Sequence, residues 1–169
     1  MTEKACNVLF LCTGNSARSI LAECLTNRYG EGRIQARSAG SHPKGEVHPL
    51  TLETLRAHGH DPSGLHSKSW DEFARPEAPR FDVIVTVCDQ AAGEACPLWP
   101  GHPVQAHWSI ADPASVAGDL HERRRAFERA YRELERPIEA LARLPIATLD
   151  RAALRSCIER LAEDAESNA

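Results

Sequence analysis

Eight residues near the start of the chain have the types and spacing to act on a tetrahedral oxyanion. In Cys12-Thr13-Gly14-Asn15-Ser16-Ala17-Arg18-Ser19, a thiol and a guanidinium lie six positions apart across small residues. Backbone N–H groups of Thr13, Gly14, Asn15, Ser16, Ala17 and Arg18 would line such a loop. The helix that follows adds partial positive charge, and Arg18 can donate two parallel hydrogen bonds. That field is expected to lower the Cys12 thiol pKa. A thiolate beneath a cradled oxyanion is placed for in-line attack on phosphorus or arsenic, with Ser19 set to hydrogen-bond it. Asn15 suits a left-handed turn that locks the loop. The plain alternative is a structural cysteine followed by a surface arginine. No Gly-Lys-Ser/Thr follows, so the loop is not of the Walker type.

Chemistry of this kind needs a strand before the loop and a helix after it. Val8 to Leu11 reads as a buried strand, and Ile20, Leu21, Cys24 and Leu25 recur on one face of a helix. Phe81 to Val87 reads as another strand, Ile34 to Ser38 as a further one, and Val104 to Ile110 as a possible fourth. Pro49 opens a helix with Leu52 and Leu55 inward. Residues 59–80, rich in Gly, Pro and His, read as loop. From Leu120 a long helix carries Phe127, Tyr131, Leu134, Ile138 and Leu141 inward, and Pro137 is expected to kink or interrupt it. Asp150 caps a last helix with Leu154, Cys157, Ile158 and Leu161 inward, before a fraying tail. The alternation predicts a single-domain α/β fold around a mostly parallel four-stranded sheet, with sites beyond the strands' carboxyl ends. Cys12 and Cys88 both stand at such ends.

Composition excludes several classes. With 20 Lys+Arg against 24 Asp+Glu the chain is acidic, net −4, and has no basic face for nucleic acid. Its 42% hydrophobic and 26% charged residues are those of a globular domain. No apolar run nears the roughly 20 residues of a membrane helix. The polar start predicts no signal peptide and a cytoplasmic protein. Six scattered cysteines then suggest catalysis, redox chemistry or metal rather than a disulfide framework.

The run Val8-Leu9-Phe10-Leu11-Cys12-Thr13-Gly14-Asn15-Ser16-Ala17-Arg18-Ser19 resembles the low-molecular-weight protein tyrosine phosphatase superfamily, and its arsenate reductase branch more closely. The resemblance extends from about Asn7 through Asp112-Pro113 to the helix around Tyr131. It implies a phosphatase-like reductase domain over 1–145 and a helical extension over 146–169. In the thioredoxin-coupled reductases, arsenate forms an adduct on the loop cysteine, a second cysteine attacks it, and a third closes a disulfide. The matching residues are Cys12, Cys88 and Cys96. Reduction of arsenate takes two electrons, which a thiol pair supplies by becoming a disulfide.

Two departures stand out. Ala17 replaces an additional loop cysteine, and Cys88 and Cys96 are spaced slightly wider than in the best-known members. In a continuous helix the pair would be about 12 Å apart, against the roughly 7 Å between Cα atoms that a disulfide tolerates. A mobile redox segment is therefore expected. The alternatives for this pair are small core fillers, or a zinc site with His102 or His107 whose spacing fits no structural module. Cys6, Cys24 and Cys157 read as spectators.

The resemblance makes Asp112, in Asp112-Pro113, the general acid; it also suits the cap of the next helix. Phosphatases of the family place aromatic residues after this step, where this chain has Ala114 and Ser115, favouring a small inorganic oxyanion. Trp99 or Trp108 could supply aromatic surface, although both suit a core. The histidines at 42, 48, 58, 60 and 66 are expected to face solvent, with His48 bordering the loop. Glu23 and Ser38 resemble residues of a monovalent-cation site in some reductase relatives.

The leading expectation is an arsenate reductase without prosthetic group or metal, reset by thioredoxin or by glutaredoxin and glutathione. The alternatives are a phosphatase using Cys12, Arg18 and Asp112 on phosphate monoesters, and a non-catalytic oxyanion sensor.

Overall fold

The computed structural model describes residues 4–94 and 97–167. Four strands, β1 (Cys6–Cys12), β2 (Ile34–Gly40), β3 (Val83–Thr86) and β4 (Val104–His107), pair in the order β2-β1-β3-β4, every pairing parallel. The helices are α1 (Arg18–Gly30), α2 (Pro49–Ala57), α3 (Asp89–Gly93), α4 (Leu120–Ala142) and α5 (Arg151–Ser167). Among the described residues no helix is long and apolar enough to cross a membrane.

A parallel sheet is covered on both faces, so its strands read as continuous apolar runs and alternate side chains go to opposite cores. Val8, Phe10 and Cys12 of β1 join Val83, Val85 and Val104 beneath α1, α4 and α5. Leu9, Leu11 and Ile84 point the other way, onto Trp70, Phe73, Phe81 and Trp99. The stretch 59–80, read from sequence as loop, thus carries a cover for one sheet face: Trp70 to Phe73 form a 3-10 turn, and Gly40 bridges Ser69.

The long helix α4 begins at a capping box between Asp119 and Glu122 and runs without interruption through Pro137. The expected break does not occur. A mid-helix proline costs about 3 kcal/mol, and the burial of Leu134, Ile138 and Leu141 on either side offsets it. In α2 the inward face is Leu50, Thr51, Thr54 and Leu55, at helical spacing, and the expected Leu52 is only half-buried. Strand β4 stops at His107, short of Ile110. Asp150 accepts from the Ala153 N–H at 2.8 Å and caps α5, whose Ile158 carbonyl accepts from the Trp108 indole at 3.2 Å.

Candidate functional site: an anion loop beside a second thiol

The carboxyl ends of β1, β2, β3 and β4 meet on one edge of the sheet, and the chain between Cys12 and Arg18 lies across it. The outward backbone bonds of this loop are accepted by its carbonyls. The Thr13 carbonyl accepts from the His42 N–H at 2.9 Å, and Gly14 accepts from the Lys44 N–H at 3.0 Å and the Ser67 hydroxyl at 3.1 Å. Ser16 accepts from the His48 N–H at 3.0 Å and the Thr51 hydroxyl at 2.8 Å. In a trans peptide the next N–H points opposite to the carbonyl. With these carbonyls turned outward, the N–H groups of Gly14, Asn15 and Ala17 turn inward, as an anion requires. The Asn15 N–H already points at the Cys12 Sγ, 3.1 Å away.

A directed chain of hydrogen bonds supports the thiol from below. The Lys68 N–H donates to Asn15 Oδ1 at 3.0 Å, which fixes the amide's orientation. Asn15 Nδ2 then donates to Ser19 Oγ at 2.8 Å, leaving the Ser19 proton for the Cys12 Sγ at 2.9 Å. Asn15 is fully buried with φ 44°, so its backbone holds the expected left-handed turn. The lowering expected from the loop does not prevail: the Cys12 thiol lies above its ordinary value. Burial is the largest influence and pushes its thiol up, the Ser19 and Asn15 hydrogen bonds pull it down, and nearby Cys88 raises it.

Gly40, at the end of β2, lets the loop come this close. A Cβ there would lie 2.4 Å from the Thr13 carbonyl oxygen and 2.9 Å from the Asn15 nitrogen, both backbone atoms. Gly40→Ala is expected to displace the loop and cost about 1–3 kcal/mol of stability, the usual cost of overpacking. Calorimetric titration with inorganic phosphate should show weakened binding, and thermal melting the lost stability.

Arg18, the first residue of α1, reaches across to the segment after β4. Its Nη1 donates to the Ile110 carbonyl at 3.0 Å, and its Nη2 lies 3.8 Å from Asp112 Oδ2. Asp112 Oδ1 accepts from the Ala114 N–H at 3.0 Å, capping the short turn Pro113–Ser115. Capping and a place beside Arg18 coexist in this carboxylate. Among the described residues no aromatic wall follows it: Trp99 and Trp108 are buried in the two cores, and Phe127 is sealed against Ala17 and Leu50.

The second thiol sits next to the first. Cys88 follows β3 and is the N-cap of α3, its Sγ accepting from the Ala91 N–H at 3.3 Å and lying 3.5 Å from Thr13 Oγ1. Helix α3 ends at Gly93; Cys96, the expected third thiol, lies outside the described residues. Cys6 and Cys24 are pushed up to about 12, by burial foremost.

The histidines are more engaged than expected. His48 does border the loop, accepting from the Leu50 N–H at 3.0 Å. His58 stacks on Tyr131 at 3.9 Å and pairs with Glu128, and His60 bonds the Tyr131 hydroxyl at 2.7 Å. The Ser38 hydroxyl donates to Glu23 Oε1 at 3.2 Å. The Glu23 carboxyl lies above its ordinary value, pushed up by burial and only partly pulled back by the positive charge of Lys68 and the Ser38 hydrogen bond. Sequence reasoning missed Gly40, Lys68 and Asp89, and it raised His107 only as a possible zinc ligand.

Over 135 residues the chain is 33% identical to an arsenate reductase of Shouchella clausii (strain KSM-K16), spanning 80% of this chain and 94% of that one. Among solved structures, the arsenate reductase from Archaeoglobus fulgidus DSM 4304 is similar at 28% identity and TM-score 0.63, over 80% of this chain and 98% of the other. A thioredoxin-dependent arsenate reductase of Corynebacterium glutamicum is similar at 27% identity and TM-score 0.55, over 83% of this chain and 65% of that chain. The low molecular weight phosphotyrosine protein phosphatase family matches residues 7–158, spanning the loop, all but the first residue of the sheet and the first half of α5, and the chain belongs to that family.

Proposed function

We infer that this chain is an arsenate reductase, and that a thiol relay carries its electrons. The observation that carries the reading is the placement of Cys88 beside the anion loop, its Sγ 3.5 Å from Thr13 Oγ1. A phosphatase has no use for a second thiol there. The similarity to reductases over most of the chain supports the same reading.

In the proposed sequence, arsenate enters the loop and Cys12 Sγ bonds to arsenic as one oxygen leaves as water. Asp112, beside Arg18, supplies a proton to that oxygen. Cys88 Sγ then attacks Cys12 Sγ. The S–As bond breaks, its electron pair stays on arsenic, and arsenite leaves with arsenic reduced from the +5 to the +3 state. Both sulfurs are now oxidised as a Cys12–Cys88 disulfide. Cys96 attacks Cys88, frees Cys12 as thiolate and leaves a Cys88–Cys96 disulfide. A dithiol of the thioredoxin type, or glutaredoxin with glutathione, reduces it. Backbone N–H groups of Thr13, Gly14, Asn15, Ser16, Ala17 and Arg18 hold the anion, and Ser19 supports the thiolate. The setting for this reductant is the cytoplasm.

The phosphatase reading keeps one specific support, since Cys12, Arg18 and Asp112 together would also serve ester hydrolysis. The two are separated by following NADPH consumption with arsenate, thioredoxin and thioredoxin reductase, beside p-nitrophenyl phosphate hydrolysis and a glutathione-coupled control. Arsenate-dependent NADPH loss is expected. Ester hydrolysis with no arsenate turnover under either reductant overturns the reductase reading.

A further inference from the structure

One imidazole holds the chain on both sides of the second thiol. Thr86 and His107 are register partners at the ends of β3 and β4, so their side chains lie side by side. His107 Nδ1 is 2.8 Å from Thr86 Oγ1, and its Nε2 is 2.7 Å from Asp89 Oδ1. Ser109, two residues further on, donates its hydroxyl to the same Asp89 oxygen at 2.9 Å. Thr86 is two residues before Cys88 and Asp89 is one after it. The ring thus spans the backbone that carries the thiol, from the strand below to the first residue of α3.

Proton directions in the bridge are consistent. The Asp89 carboxylate only accepts, and these bonds hold it below the usual carboxylate range. His107 Nε2 therefore carries the proton toward Asp89, and in the neutral ring Nδ1 accepts from the Thr86 hydroxyl. Outside this bridge, Cys88 is held by the Ala91 N–H and Thr13, at 3.3 and 3.5 Å. A five-residue helix has little stability of its own, so side-chain tethers have a large share in where its first turn sits.

We propose that His107, bridging Thr86 and Asp89, is a positioning residue that holds Cys88 over the anion loop for attack on Cys12. The proposal rests on the relay reading above and adds what fixes its second thiol. A hydrogen bond to a charged group is worth more than a neutral one, and each tenfold in effective concentration of one thiol beside another is a tenfold in their disulfide equilibrium.

The test is the equilibrium of the Cys12–Cys88 disulfide against reduced and oxidised glutathione, in a Cys96→Ser, Cys157→Ser chain. Cys6 and Cys24, whose thiols burial pushes well up, are poor partners in the exchange. His107→Phe keeps a flat ring and removes both bonds, and is expected to lower the equilibrium constant about tenfold. His107→Gln keeps a donor toward Asp89 and is expected to stay within about threefold of the parent. Asp89 is largely exposed, so Asp89→Asn provides a variant whose folding is not at risk, with a loss of about threefold. Arsenite released in a single turnover by the otherwise unaltered chain should slow in the same order. Equal equilibrium constants in all four proteins, or His107→Gln falling as far as His107→Phe, overturn the proposal. A parent that forms the disulfide with the predicted variant order yet releases no arsenite leaves the positioning intact and defeats the reductase reading alone.

Discussion

Replacing Cys88 with serine is expected to abolish arsenate reduction, on the order of a thousandfold or more, while p-nitrophenyl phosphate hydrolysis stays within about threefold. The fold has good reason to survive. Cys88 is the N-cap of α3 and accepts from the Ala91 N–H, a role in which serine is among the preferred residues. Its hydroxyl can also keep the contact with Thr13 Oγ1. Only redox capacity is lost, because an alcohol cannot become half of a disulfide. Arsenate should still bind and form its adduct on Cys12, and then stall. The measurement is coupled NADPH oxidation beside ester hydrolysis on the same preparation. Retained arsenate turnover would remove Cys88 from the relay, and equal loss of both activities would make it a structural residue.

Asn15→Ala is expected to damage both the stability of the chain and its chemistry. Three consequences follow from one side chain. The buried Lys68 N–H loses its acceptor, Ser19 Oγ loses the donor that orients its proton toward Cys12, and a residue at φ 44° loses the side chain suited to that conformation. An unsatisfied buried N–H costs about 1–3 kcal/mol and the left-handed backbone about 1 kcal/mol. A total of about 2–4 kcal/mol is expected, lowering the melting temperature by roughly 5–15 °C for a chain of this size. Turnover should fall about 10- to 100-fold, because Ser19 no longer pulls the Cys12 thiol down against its burial. Asn15→Gly separates the causes. It accommodates the backbone yet loses both amide bonds, so it should recover part of the stability and little of the rate. Full recovery of rate in Asn15→Gly would mean that the chain from Lys68 through Asn15 and Ser19 does not reach the thiol.

What could be read along the chain was what acts over short separations. The loop from Cys12 to Ser19 is local: Cys12, Asn15 and Ser19 bond one another within eight residues, and their types announce a turn between a strand and a helix. The alternation of apolar strands and amphipathic helices led to an α/β domain, and the sheet is four-stranded and wholly parallel. Where periodicity was weak, reading failed. The run 59–80 has no repeat, yet Trp70 and Phe73 within it and Phe81 just after it cover a sheet face. Pro137 has a strong local penalty, and burial on both sides overrides it.

By itself, then, the sequence determined the class of fold, the anion loop and the presence of thiols enough for a relay, because hydrophobic period and turn chemistry act between near neighbours. Tertiary structure decided everything that depends on separate strands ending at one edge. Gly40 is indispensable only because β2 brings it against Thr13. Lys68, 53 positions beyond Asn15, anchors the loop with a backbone N–H that no residue type reveals. Cys88 stands by Thr13 across 75 residues, and His107 reaches Asp89 from β4. Which pairs meet is set by the β1-β3-β4 order and its register, and these follow from packing two cores at once.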